Sequence, residues 1–241
     1  MTSQFLPVFR NNADYEIEEL NVQGSVAHSF DELCDHSQLF RIRGIAEMLM
    51  TADARSFRKN LHLSAGCFAR GLRNMALSSV IVSKSLPFLD AIAVQDLQLS
   101  SSIAKILKEG NLAADYEYPE DYYYYQYLVA HVLQEGGSTA ACFARWAEEY
   151  GNEDDPRFMV VQAFEKDDEE SFHSAFDMLL QHRRDYCLHM RENEALGPEW
   201  LETEGRVFIE GIVWAVLAKE RNYNMEKDYL FVPSIVFDAM H

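Results

Sequence analysis

The sequence predicts an all-α fold, an irregular and repeat-like stack of antiparallel helical hairpins with no sheet of consequence. Three observations carry this. Apolar residues recur at three- and four-residue steps along most of the chain, no long segment alternates with period two, and the helical stretches are separated by short breaks bearing cap residues, Gly or Pro. A length of 241 residues with 48% apolar and 25% charged content suits a packed core, and composition confines disorder to the first dozen residues at most.

The elements follow in order. Asp31 opens a helix carrying Leu33, Leu39, Phe40, Ile45, Met48 and Leu49. Asp53 caps the next, where Phe57, Leu61, Ala65, Phe68 and Leu72 follow at four, four, three and four. Ser85-Leu86-Pro87 reads as a cap with proline in the first turn of a helix to about Val94, and Asp96 caps another that ends at Gly110. Pro119 begins a helix through Leu133, stopped by Gly136-Gly137. Ser138 caps Thr139 to Tyr150, and Asp155-Pro156 starts a helix from Arg157 to Phe164. Asp168 caps a long helix to about Glu192, and Pro198 opens another through Lys219. The tail Tyr229 to Pro233 is extended by its proline and apolar enough to dock on the body. Residues 1–241 read as a single helical domain, with the best candidate subdivision near 110–118. The capped ladders at Asp53, Asp96 and Asp168 do not share one period, so no solenoid of true repeats is expected.

Four cysteines, Cys34, Cys67, Cys142 and Cys187, stand far apart with apolar neighbours, which predicts buried thiols in a reducing cytoplasm. The N-terminus lacks a basic segment followed by an apolar run, and no apolar stretch reaches a membrane-spanning length, so neither secretion nor membrane insertion is expected.

Charge is distributed unevenly. Residues 1–110 carry 11 Lys/Arg against 12 Asp/Glu, whereas residues 111–241 carry 10 against 27. A net charge of −18 concentrated in the second half repels nucleic acid and anionic lipid and steers a basic partner inward. Solubility alone is the competing explanation.

Signatures of phosphate-binding loops, serine hydrolases, zinc proteases and dinucleotide folds are absent. His173, His182, Cys187 and His189 form the densest group of metal-capable residues, but no second ligand pair completes it, so no metal and no cofactor is expected. The unusual segment is Asp115 to Tyr127, which holds seven of the twelve tyrosines among four carboxylates. Helix geometry directs Tyr122, Tyr125, Leu128, Val129, Val132 and Leu133 to the core and Glu120, Tyr123, Tyr127 and Gln134 to solvent. Exposed tyrosines beside carboxylates suit a binding surface for Arg and Lys. Internal packing of the rings, with hydroxyls at the rim, is the alternative.

The stretch from Ala163 through Phe172 to Leu180-Gln-His182-Arg-Arg-Asp-Tyr186, and that from Glu204-Gly205 through Arg221 to Asp228-Tyr-Leu-Phe-Val-Pro233, resemble a bacterial family of polymorphic-toxin systems, immunity protein family 49. Phe88 to Asp96 is similar to the middle of that family, and the likeness covers residues 85–237. It implies an all-α immunity protein that binds a cognate toxin and occludes its active or substrate-binding surface. The expected contact residues are Asp115, Glu117, Glu120, Tyr123 and Tyr127, then Glu153, Asp154 and Asp155. The partner is a toxin or effector protein with a basic surface, not nucleic acid or membrane, and oligomeric state stays open. A helical adaptor for another basic partner, or an enzyme with a carboxylate- or histidine-lined cavity, are the alternatives.

Overall fold

Leu6, Phe9, Ala13 and Ile17 recur at helical spacing and are buried, and they hold an amphipathic helix, α1 (Leu6–Gln23), against the next element. This helix replaces the disorder allowed for the first dozen residues. Beyond Phe9 its buried stripe is one residue wide, Ala13 between Asn12 and Asp14 and Ile17 between Glu16 and Glu18, so the sequence pattern is faint. The computed structural model describes residues 3–23, 27–134, 136–151, 154–225 and 228–238.

Helices α2 (Phe30–Thr51) and α3 (Ala54–Leu72) form a hairpin. Ser29, two residues before Asp31, caps α2 by accepting the Glu32 N–H at 3.1 Å, and Asp53 caps α3 as expected. The turn passes through Ala52 in the left-handed region at φ 57°. Gly44 allows the close crossing, because a Cβ there would stand 2.7 Å from the Cβ of Asn60. The ladder Phe57, Leu61, Ala65, Phe68 and Leu72 is buried throughout. Two short 3-10 turns lead to α4 (Leu86–Ala93) and α5 (Leu97–Leu107). Arg41 of α2 sits in this region with 3% of its side chain exposed, bonded to Asp90 at 2.7–3.2 Å and to Glu204 at 2.9 Å. Burial alone would lower its pKa, but the Asp90 and Glu204 carboxylates more than offset that and raise it. Ser64 donates to Asp90 at 2.6 Å, so the network ties α2, α3 and α4 to the segment before α11.

The second half consists of α6 (Pro119–Val132), α7 (Gly136–Tyr150), α8 (Pro156–Glu165), α9 (Glu169–Glu192), α10 (Pro198–Glu202), α11 (Ile209–Glu220) and α12 (Ile235–Asp238). Two boundaries differ from expectation. Gly136-Gly137 belongs to α7 and does not separate two helices, so Ser138 lies inside the helix it was expected to cap. The helix expected from Pro198 to Lys219 is broken into α10 and α11, with Thr203, Glu204 and Gly205 buried between them.

Residues Ile209 to Ala218 of α11 are all buried, as befits a helix apolar on every side. Around Trp214 gather Tyr124, Tyr127, Phe164 and Phe172, and Trp214 Nε1 donates to the Tyr124 hydroxyl at 2.9 Å. Each buried aromatic or aliphatic side chain contributes roughly 1.5–3 kcal/mol of transfer free energy. The tail docks as expected: Phe208 N–H donates to Phe231 O at 2.9 Å, and Val232 is buried. One core runs from Phe30 to Phe237 without a break at 110–118. Among the described residues there is no strand beyond an isolated bridge between Tyr229 and Val232, the four cysteines are half-buried thiols, and no helix is long and apolar enough to cross a membrane.

Candidate functional site

Tyr118 and Asp121 of the tyrosine-rich stretch and Asp155 of the second acidic cluster border one recess, because α6 and α8 begin side by side. Both open with proline at the first helical position, Pro119 and Pro156, where the missing N–H costs nothing. Asp155 caps α8 by accepting the Arg157 N–H at 2.9 Å, and Glu120 and Asp121 occupy the first turn of α6, complementing the helix dipole. Between these starts and the middle of α9 lies a recess of about 580 Å³ bordered by Tyr118, Asp121, Asp155, Arg157, His182, Arg183, Tyr186 and Phe208.

Arg157 organises one wall. It grips Glu210 of α11 with two bonds of 2.7 Å and reaches Asp121 of α6 at 2.6 Å, with its guanidinium 5.0 Å from the Tyr124 ring. Burial works to lower its pKa, and the Glu210 carboxylate more than reverses this, holding it well above the usual arginine value. Burial raises the Asp121 pKa, opposed by Arg157. Arg183 forms the other wall. Its guanidinium lies 4.7 Å from the Trp200 ring and 4.9 Å from that of Phe208, its Nη2 donates to Glu204 O at 2.9 Å, and its Nε is buried without a hydrogen-bond partner. Both arginines are half-buried and engaged by groups of the same chain, and Tyr118, Asp121, Asp155 and Tyr186 border the recess with them. No Ser, Thr or Cys lines the recess, and among the described residues no group of three or more His, Cys, Asp or Glu has the geometry to hold a metal.

The expected contact residues divide sharply. Asp115 and Glu120 are exposed, Asp154 is exposed in the turn before α8, and Asp155 lines the recess. Glu153 lies outside the described residues. Glu117 is buried and accepts the backbone N–H groups of Ser83 and Ala113, both at 2.9 Å, so it pins a loop instead of facing a partner. Tyr123 and Tyr127 are buried, against the expectation that they face solvent. Tyr123 packs on Tyr150 of α7 and donates to Glu149, while Tyr127 stacks on Trp214 and donates to Glu165 at 2.6 Å. The reason is that α7 and α5 both pack on α6 and Trp214 of α11 meets its Tyr124 and Tyr127, so α6 is buried or half-buried beyond its first turn.

The exposed rings are instead Tyr116 and Tyr118, with 68% and 76% of their surface accessible. Tyr118 precedes Pro119, which forces it into an extended conformation (φ −77°, ψ 139°) and projects its ring from the helix start. That Tyr-Pro pair was a readable signal. A second was the absence of any Asp, Glu, Lys or Arg from Tyr122 to Gln134, which marks a helix buried on all sides. The partners of Arg157 stand 36 and 53 residues away, and no local pattern announces them. Comparison of the chain with family models, with curated proteins and with solved structures gives no match.

Proposed function

We propose that this protein acts by binding a basic protein partner at the recess formed by the starts of α6 and α8, and that it serves as an immunity protein neutralising a bacterial toxin. The observation that supports the reading is the exposed Tyr118 at a recess whose edges carry Asp121 and Asp155, with Asp115, Tyr116 and Glu120 exposed in the same stretch of chain. Tyrosine at the centre of a contact supplies area at low entropic cost, and carboxylates at the rim steer and orient a cationic surface. The toxin-blocking role draws on the resemblance of residues 85–237 to immunity protein family 49. Arg183 and Tyr186, which end the first resembling stretch, line this recess, and Glu204, which begins the second, holds Arg183.

The test is coexpression with the product of the adjacent reading frame, scored for growth rescue and co-purification. Tyr118→Ala, which leaves the buried rings untouched, is expected to weaken the complex by about 2 kcal/mol, roughly thirtyfold in Kd, by calorimetry. Unchanged affinity in Tyr118→Ala and in the double variant Asp115→Asn/Glu120→Gln, with the fold intact, rejects this placement of the interface.

A further inference from the structure

At the opposite end of α6 and α8 lies a second recess, of about 450 Å³, built from the ends of four helices. Helices α4, α6, α8 and α11 all stop here, at Ala93, Val132, Glu165 and Glu220, and the chain leaves α4 and α6 through Gln95 and Gln134 in the left-handed region. Each helix C-terminus presents about half a negative charge. Two carboxylates add to this. Glu165 accepts the Tyr127 hydroxyl at 2.6 Å and Glu220 accepts the Gln95 amide at 3.3 Å, both neutral donors. The floor is apolar, from Ile92, Val132 and Leu217.

The fold already answers two of these helix ends with guanidinium groups. Arg58 Nη2 donates to Val94 O at 3.0 Å beyond α4, and Arg221 Nη1 donates to Phe164 O in the last turn of α8 while its guanidinium lies over the Phe164 ring. Arg221 is the one Lys or Arg among the described residues that lines the recess; it bonds Phe164 O, lies 3.9 Å from Asp167, and makes no ion pair with Glu165 or Glu220. Half-buried Glu165 and exposed Glu220 therefore border the recess with no ion pair of their own among the described residues, although Arg221 shares it. Glu165, Glu220 and His131 do not form a metal-ligating group, and the volume far exceeds a bare ion.

We infer that this recess is a binding site for an organic cation, an ammonium or guanidinium on an apolar stem, whose charge lies between Glu165 and Glu220 and whose stem lies on Ile92, Val132 and Leu217. Such a cation is either a free small amine or the arginine or lysine side chain of a bound protein. The inference does not depend on the interface proposed at the other end of the helices.

The experiment uses agmatine as the probe, titrated by calorimetry and by NMR of the methyl groups of Ile92 and Leu217. Saturable binding at a single site that shifts both methyls is expected, weakened about tenfold by Glu165→Gln, since a charge-assisted contact becomes a neutral one. Glu165→Gln keeps an acceptor for Tyr127, so the fold is retained. Glu220→Gln is the second variant and is also expected to weaken binding. Glu148→Gln, at an exposed position of α7, removes the same charge elsewhere and is expected to leave binding unchanged. Pentanol, with a similar stem and no charge, is expected not to bind. A blocked peptide with one arginine separates the sources: competition tighter than agmatine indicates a protein side chain, and weaker competition a free amine, the cation site standing in both cases. Binding that does not saturate, or that Glu165→Gln and Glu148→Gln weaken equally, overturns the inference.

Discussion

Helices α6, α8 and α11 run in the same sense, and their two ends are built differently. At the starting end Arg157 binds Asp121 of α6 and Glu210 of α11, so the acidic residues that suit helix N-termini are neutralised by a cation from within the chain. At the finishing end Glu165 and Glu220 stand beside helix C-termini, where negative charge is least favourable, and are met by a hydroxyl and an amide. The fourteen residues of α6 place these ends about 21 Å apart. One end closes its electrostatics and leaves rings and carboxylates at the rim. The other places half-buried Glu165 and exposed Glu220 around an open recess, neither of them ion-paired to the Arg221 that shares it. The contrast agrees with the proposed contact surface at the first end and with the proposed cation site at the second.

The largest expected effect that sharpens this contrast is at Arg157. Arg157→Met leaves Glu210, 5% exposed, without its cation, and the native state should lose about 2–3 kcal/mol in urea unfolding. The figure sits at or below the low end for a broken buried pair because a third of the Arg157 side chain reaches solvent. The matching change at the other end, Glu220→Gln, should stay within about 0.5 kcal/mol of the parent. Equal losses at both ends would remove the distinction.

Tyr127→Phe is expected next, at about 1 kcal/mol, because it deletes a 2.6 Å hydrogen bond to Glu165 while keeping the ring on Trp214. Tyr123→Phe, whose hydroxyl meets exposed Glu149, should lose less in the same unfolding series. Neither variant should change affinity for a partner at the starting-end recess, since neither ring borders it.

The smallest effect is a pH dependence. Burial lowers the pKa of His131 below its ordinary value of 6.5, with the nearby Arg221 acting in the same direction. The unfolded chain therefore takes up this proton first as pH falls. The stability His131 contributes is complete above about pH 6.5 and is lost as pH drops through its folded value. His131→Gln should flatten this part of the stability profile, measured by denaturant midpoints from pH 8 to about pH 5. An unchanged slope would place the acid sensitivity elsewhere.

How much was legible in the sequence varied with the range of the interaction. Asp53, Asp96, Asp155 and Asp168 cap helices as their spacing indicates, because a cap bond joins residues two or three apart. Ser138 misled because Gly136-Gly137, a helix stop by local preference, is overridden by packing of α7 on α6. At the starting-end recess, Asp155 and the acidic lead-in were visible, whereas Arg157, Arg183 and Glu210 were not. The stripe through Tyr123 and Tyr127 was read as though α6 had one neighbour, and it meets α5, α7 and α11.

The sequence by itself determined the all-α class, most helix starts and the apolar ladders, since each follows from backbone hydrogen bonding and side-chain periodicity within a few residues. Tertiary structure alone decided which face of each helix meets solvent, which arginine answers which carboxylate, and that four helices end around one recess. Those outcomes depend on which elements become neighbours, a property of the packed chain that no local window contains.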